Sequence, residues 1–239
     1  MGSVKIHSLE IPASTGLFEN VKDFEATNIV LEDITVGGRS EDQDGTGTFI
    51  GSSYGDLTLK NIKVYDSAVS APRRIGGLIG AIYGGEVTLN DCDLSSVKVS
   101  TVYKDGVSGQ AGGLIGYIGR SSEQDRSEEG DVMLFKCNLS SCTVTAHMQS
   151  EELHSGRLVG TLSGYDRDEK LNVVLSSADR ATTLIHTGDD RDNTASKGSG
   201  RYVNRCKSAF CEDLPQEYED LLGGQVYHRG LVSIRLRPI

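Results

Sequence analysis

The sequence contains no tryptophan, four prolines among 239 residues and an aromatic share of 6%. The interior is therefore expected to be mainly aliphatic, with little room for large rings. No apolar run is long enough to cross a bilayer, so membrane insertion is not expected. Positive charge is scarce as well: Lys plus Arg is 24 against 34 acidic residues, a net charge of -10. Phosphate recognition needs a concentrated basic face, which makes nucleic acid an unexpected partner. A nucleophile elbow, a phosphate-cradling glycine loop and a dinucleotide fingerprint are all missing. The five histidines, His7, His147, His154, His186 and His228, lack metal-ligand spacing. No cofactor or metal is expected, and the sequence assigns no catalytic residue.

What the chain does have is glycine, 29 residues of it, and a repeat. The stretch Ile75 to Val99, IGGLIGAIYGGEVTLNDCDLSSVKV, returns as AGGLIGYIGR at Ala111 to Arg120 and VMLFKCNLSSCTV at Val132 to Val144. Its second half places Val87, Leu89, Cys92 and Leu94 at steps of 0, 2, 5 and 7. On a helix those positions point at about 0°, 200°, 140° and 340°, which makes no single stripe. In a straight strand the step of three would send Cys92 and Leu94 to the opposite face. A corner at Asn90 and Asp91, residue types that tolerate unusual backbone angles, keeps all four inside.

The same spacing occurs at Val4, Ile6, Leu9 and Ile11; at Ile29, Leu31, Ile34 and Val36; at Leu57, Leu59, Ile62 and Val64; and at Val132, Leu134, Cys137 and Leu139. First members at 4, 29, 57, 87 and 132 are 25, 28, 30 and 45 residues apart, the last step lengthened by the polar segment Gly119 to Gly130. A degraded copy begins at Leu171 and Val173. The first half recurs as Leu17-Phe18, Phe49-Ile50-Gly51, Leu78-Ile79-Gly80, Leu114-Ile115-Gly116 and Leu158-Val159-Gly160. Glycine after an apolar pair suits a sharp turn or a close approach of backbones. One copy cannot bury enough surface to offset its ordering entropy, so copies must stack. The fold class that follows is all-β, a parallel β-helix (β-solenoid) of about five coils, each of three short strands. Leu31, Leu59, Leu89 and Leu134 are expected to form one buried column.

The solenoid is assigned to residues 1–179, and residues 180–239 to a linker and small mixed cap. Gly188 to Gly200, GDDRDNTASKGSG, reads as linker. Asp213-Leu214-Pro215 leads into a two-turn helix through Leu222 that ends at Gly223-Gly224, and Gln225 to Arg237 alternates as strands. Cys92 and Cys137 fall in one inward slot and Cys142 replaces Val97, so these three are expected as free core thiols; Cys206 and Cys211 either close a small loop or stay reduced. The first copy starts in mid-pattern directly after Met1-Gly2-Ser3, and no signal peptide is visible. Further sequence ahead of it, an export signal included, is expected; an uncapped first coil would be adhesive end to end.

The strings Gly76-Gly77-Leu78-Ile79-Gly80 and Gly112-Gly113-Leu114-Ile115-Gly116 resemble the GLUG motif of bacterial surface and secreted proteins, found in adhesin-like chains and beside the catalytic parts of immunoglobulin-cleaving proteases. Gly16-Leu17-Phe18 with Ala26 to Leu31 is similar to the coil that often opens such arrays, and the resemblance runs from about residue 16 to 175. Arg157 departs from it by standing where a glycine belongs, and the HExxH zinc motif of the associated proteases is absent. The resemblance implies an extracellular or cell-surface location and a scaffold without that catalytic signature.

Other motifs have simpler readings as loop chemistry. Asp42-Gln43-Asp44-Gly45 is a fragment of a calcium loop without its closing glutamate. Asp166 to Glu169 and Asp189 to Asp192 are charged loops, and His147 and His154 flank Glu151 and Glu152 without zinc spacing. Asn138-Leu139-Ser140 is a glycosylation sequon inside a strand, and Thr58 with Thr88 begins a threonine row that Val30 and Met133 break. Arg73, Arg74 and Lys104 would matter to catalysis only if they converged with Asp91 or Asp93, whose types are otherwise explained by corners shared with Asp33 and Asn61. Two functions follow: a non-catalytic module for adhesion, partner binding or display to a protein or glycan, or a carbohydrate-active or glycan-binding β-helix.

Overall fold

The computed structural model of the chain describes residues 2–38, 45–102, 104, 107, 109–119, 132–148, 155–156, 158–163, 170–175, 183–188 and 231–236. Within them, non-glycine residues adopt a left-handed backbone at five-residue intervals. Asp23, Asn28 and Asp33 form one series, followed by Asn61 and Asp66, Asp91 and Ser96, and Lys136 and Ser141, with φ between 47° and 60°. Asn and Asp reach this conformation at low cost because their short polar side chains bond locally. Each such residue turns a corner, and the extended residues between corners send alternate side chains inward. The bend expected at Asn90 and Asp91 lies at Asp91.

The described residues form nineteen strands and no helix: β1 (Val4–Pro12), β2 (Phe18–Gly37), β3 (Thr46–Gly47), β4 (Ile50–Tyr65), β5 (Ala68–Ala71), β6 (Ile75–Gly76), β7 (Ile79–Tyr83), β8 (Val87–Asn90), β9 (Asp93–Ser95), β10 (Lys98–Thr101), β11 (Ala111–Gly112), β12 (Ile115–Gly119), β13 (Val132–Ser140), β14 (Thr143–Met148), β15 (Ser155–Gly156), β16 (Val159–Ser163), β17 (Lys170–Leu175), β18 (Thr183–Gly188) and β19 (Leu231–Leu236). Fifteen belong to one parallel sheet that curls into a half-barrel, and β3, β6, β11 and β15 make a second sheet of four. A unit such as Ile75–Thr101 holds five short strands, β6 to β10, where the spacing predicts three. The extra two are β6, which opens the GGLIG half and lies in the second sheet, and β10, which follows the corner after Leu94.

Each strand pairs with its counterparts in neighbouring units. Along one column Ala26 faces Leu59, Leu59 faces Leu89, Leu89 faces Leu134, and Leu134 faces Val173. Leu31 is not in it. Leu31 lies between Ile6 and Val64, and that column continues through Leu94 and Leu139. The expected column is therefore right for Leu59, Leu89 and Leu134 and wrong for Leu31 by one corner.

The cause is the five-residue period itself. The apolar steps do not stop at 7 but continue to 10 and 12, as in Val87, Leu89, Cys92, Leu94, Val97 and Val99. A shift of five residues lays such a pattern on itself, so four positions cannot fix its phase. Ala26 is small enough to be passed over in one copy. Ser67 breaks the series in the next, where it takes a core position that is 97% shielded. Its hydroxyl accepts from the Ile34 amide at 3.0 Å and donates to the Tyr65 carbonyl at 2.6 Å, which satisfies it inside the core. The corners shift likewise: Asp91 stands over Asn61 and Asn28, not over Asp33, and Asn61 Nδ2 donates to Asn28 Oδ1 at 2.8 Å. The neighbour that interrupts the Thr58–Thr88 row on that side is accordingly Glu25, not Val30.

The glycines of the GGLIG half mark close backbone contact. A Cβ on Gly112 would overlap the Ile115 carbonyl and lie 2.5 Å from the Gly160 amide nitrogen, and one on Gly116 would lie 2.5 Å from Ile75 backbone atoms. Packing is this tight because successive units share acceptors. The Leu78 carbonyl accepts from both Phe49 and Ile50 at 3.1 Å, the Leu114 carbonyl from Leu78 and Ile79 at 3.0 and 3.1 Å, and the Leu158 carbonyl from Leu114 and Ile115 at 2.9 and 3.0 Å. Of the C-terminal residues, β18 pairs with β14 and β19 with β17, both parallel. The expected linker and the helix over Asp213 to Leu222 lie outside the described residues.

Two outcomes test this packing. Leu89, fully buried at 0% exposure, should not tolerate charge: Leu89→Asp is expected to cost more than about 4 kcal/mol and lower the melting temperature of several units together. Met133, 44% exposed, is the control, and Met133→Asp should change stability by no more than about 0.5 kcal/mol. Gly112→Ala is expected to destabilise by about 1–3 kcal/mol in urea titrations, whereas Gly37→Ala, where an added Cβ meets nothing within 4 Å, should be neutral or slightly stabilising.

Candidate functional site

The densest chemistry among the described residues gathers on the outer side of β4, β7 and β12. The pleat of β7 sends Ile82 into the main core and Ala81 and Tyr83 to the other face, where they join Tyr117 and Tyr54 in a second, smaller cluster. Tyr54 and Tyr83 stack at 5.2 Å between ring centroids, and Tyr83 and Tyr117 lie 5.7 Å apart at a tilt of 49°. Two arginines that precede β6 reach this shelf. The Arg74 guanidinium sits 4.4 Å from the Tyr117 ring centroid and 5.5 Å from that of Tyr83, donates to the Tyr83 hydroxyl, and donates through Nε to Gln110 Oε1 at 3.3 Å. Its backbone is left-handed, with φ of 52°, a conformation that arginine holds only where its surroundings fix it. Burial, then the adjacent Arg74 charge, lower the pKa of Arg73, while Tyr83 and Tyr117 oppose the shift. The assembly holds positive charge over aromatic faces and includes no carboxylate pair or nucleophile.

The residues that catalysis would have required are engaged elsewhere. Asp93 pairs with Lys63 and accepts from Asn138 Nδ2 at 2.8 Å, and Asp91 turns a corner, whereas Arg74 belongs to the tyrosine shelf. Asn138, the sequon residue, has its amide committed to this strand-to-strand bond. Among the described residues no group of three or more His, Cys, Asp or Glu is placed to hold a metal ion. Asp42, Asp44, Asp166 to Glu169, Asp189 to Asp192, Glu151, Glu152, His154, Arg157, Cys206, Cys211 and the insert 120–131 lie outside the described residues. The His147 amide donates to Thr101 Oγ1 and its carbonyl accepts from Gly109 at 3.0 Å, so its backbone belongs to the strand packing.

Cys92, Cys137 and Cys142 are buried free thiols. Each donates to a carbonyl of the preceding unit: Cys92 to Leu59 at 3.8 Å, Cys137 to Leu89 at 3.6 Å and Cys142 to Leu94 at 3.6 Å. The hydrogen bond with Cys92, together with burial, pushes the Cys137 thiol well up, and burial alone raises Cys142. Cys137 and Cys142, this deep and this reluctant to ionise, pack as small apolar side chains, whereas the hydrogen bond with Cys137 lowers the pKa of Cys92.

Sequence reading overlooked Tyr54, Tyr83, Tyr117 and Gln110. The signal was present in LIGAIY and LIGYIG, where the aromatic alternates with the core isoleucine, but the two tyrosines sit two positions apart in the repeat. Tyr117 faces Ala81, not Tyr83, in the strand pairing. Compared with known proteins, the chain matches no family model, no curated protein and no solved structure.

Cys142 gives a pH test. Its pKa in the folded chain lies above the ordinary 9.0, so the folded state holds this proton more tightly than the unfolded chain. That contribution is complete below the ordinary thiol value and is lost as pH rises from there through the folded value. Replacing it by the residue its column carries at Val97 removes the effect. In urea titrations from about pH 7 to 10, Cys142→Val should lose stability less steeply than the native chain above about pH 9.

Proposed function

We propose that this chain is a parallel β-solenoid that serves as a non-catalytic surface or secreted module, displaying its loops and outer strand face for adhesion, partner binding or spacing. The observation that carries the reading is the register: equivalent residues of successive units pair in parallel, column over column, for the length of the described sheet. In repeat proteins of this kind stability comes from neighbour-on-neighbour burial, and an extended surface is the functional product. The side-chain chemistry agrees with that role. Corner Asn and Asp residues, the Lys63–Asp93–Asn138 contacts and the buried thiols are all spent on joining one unit to the next. The GLUG-like strings support an extracellular or cell-surface location and a protein or glycan ligand.

A glycan array run beside a pull-down from a bacterial surface extract, each with and without calcium, tests the proposal. Retention of a surface protein or glycan that is left chemically unchanged is the expected result. Cleavage of an arrayed polysaccharide would overturn the non-catalytic assignment in favour of a carbohydrate-active β-helix. If a glycan is retained, Tyr54→Ala separates the aromatic shelf from the loops as its site.

A further inference from the structure

The inward column that holds Ile29 and Ile62 continues as Cys92 and Cys137. Asn90 faces Phe135 and Asp93 faces Asn138, which sets Cys92 directly against Cys137 on adjacent parallel strands. The Asn138 amide donates to the Cys92 carbonyl at 3.0 Å, so the backbones are joined at the pair itself. Each cysteine follows a left-handed corner residue, Asp91 or Lys136, both with φ of 54°, and both cysteines are fully buried. The two thiols hydrogen bond to one another. Adjacent strands lie about 4.8 Å apart, inside the span of roughly 4.4–6.8 Å between Cα atoms that a disulfide bridges. The junction is distinctive in sequence as well. First members of the copies at 87 and 132 are 45 residues apart, against 25, 28 and 30 for the earlier steps. A cross-link there closes the longest connection between these copies, where constraining the unfolded chain has the largest effect.

We propose that Cys92 and Cys137 are the site of a redox-dependent disulfide that clasps these two units across the polar segment separating them in sequence. The inference rests on strand register, not on the proposed surface role. The oxidant is a small disulfide, RSSR. The Cys92 thiolate attacks one of its sulfurs and expels RS⁻; the Cys137 thiolate then attacks the Cys92 sulfur of the mixed disulfide and expels the second RS⁻. The two leaving thiolates take up the two protons that the cysteines gave up. The cysteines together lose two electrons, and one RSSR is reduced to two RSH. Because both side chains are buried in the closed stack, exchange takes place while the chain folds or when the two units part. Cys142 faces Val97 across the same junction and stays a thiol.

The clasp is tested by unfolding the full chain under reduction, refolding it in a glutathione redox buffer, blocking free thiols with N-ethylmaleimide and mapping the peptides by mass spectrometry. The expected result is a peptide pair linked through Cys92 and Cys137, lighter by two hydrogens than the reduced pair, with Cys142 carrying maleimide. The folded chain equilibrated with the same buffer should give the same link more slowly, and it serves where refolding is inefficient. Stability is read in a Cys206→Ser, Cys211→Ser background, so that only the buried cysteines respond. There the urea midpoint of the oxidised form should exceed that of the reduced form by roughly 1 M. Cys92→Ile, which supplies the residue its column carries at Ile62, should fold and show one midpoint under both conditions. Maleimide on both Cys92 and Cys137 after both treatments, a link through Cys142, or an oxidised form no more stable than the reduced one would overturn the clasp.

Discussion

Everything in this structure depends on the backbone hydrogen bonds between one unit and the next. A parallel strand cannot pair with the segment that follows it directly, because the chain must first travel around and return. Left-handed residues recur at five-residue intervals, and equivalent strands of successive units lie parallel and in register beside one another. Carbonyls such as Leu78, Leu114 and Leu158, each accepting two amides from the unit before, bind the turns tightly enough that glycine becomes obligatory where backbones meet.

Burial follows from that ladder. The aliphatic side chains do not form a core by themselves and then recruit strands; they sit inside because corners every five residues aim alternate positions at the same interior. This explains why residues of quite different character share a column. Ile34 has Ser67, Val97 and Cys142 as its successors, and each succeeds because a small side chain fits and any polar atom finds a backbone group of the neighbouring unit. It also explains the chemistry of the surface, where paired groups such as Asp93 and Asn138 or Asn61 and Asn28 bond along the direction in which the units are added, not around the girth of one unit.

The tyrosine–arginine shelf obeys a different logic. Tyr54, Tyr83 and Tyr117 collect there, on the face of the sheet turned away from the aliphatic interior, with a strained Arg74 backbone among them. Phenylalanine does the opposite: Phe49 is fully buried in the aliphatic interior with Phe18 and Phe24 against it, whereas the tyrosines pack on the outer face, where the Tyr83 hydroxyl accepts from Arg74 and the Arg74 guanidinium lies over the Tyr117 ring.

The sequence by itself determined the repeat, its all-β character, the need for corners at Asn and Asp, the inward position of Cys92, Cys137 and Cys142 and the use of glycine where backbones approach. These are local properties, written in residue type and spacing. The phase between copies was decided only in three dimensions, because a pattern of period five is unchanged by a shift of five, and nothing local separates the Leu31 column from the Leu59 column. The same holds for the meeting of Arg74 with Tyr117 and Gln110: these residues are distant along the chain, and only the path of the backbone through successive units brings them into relation.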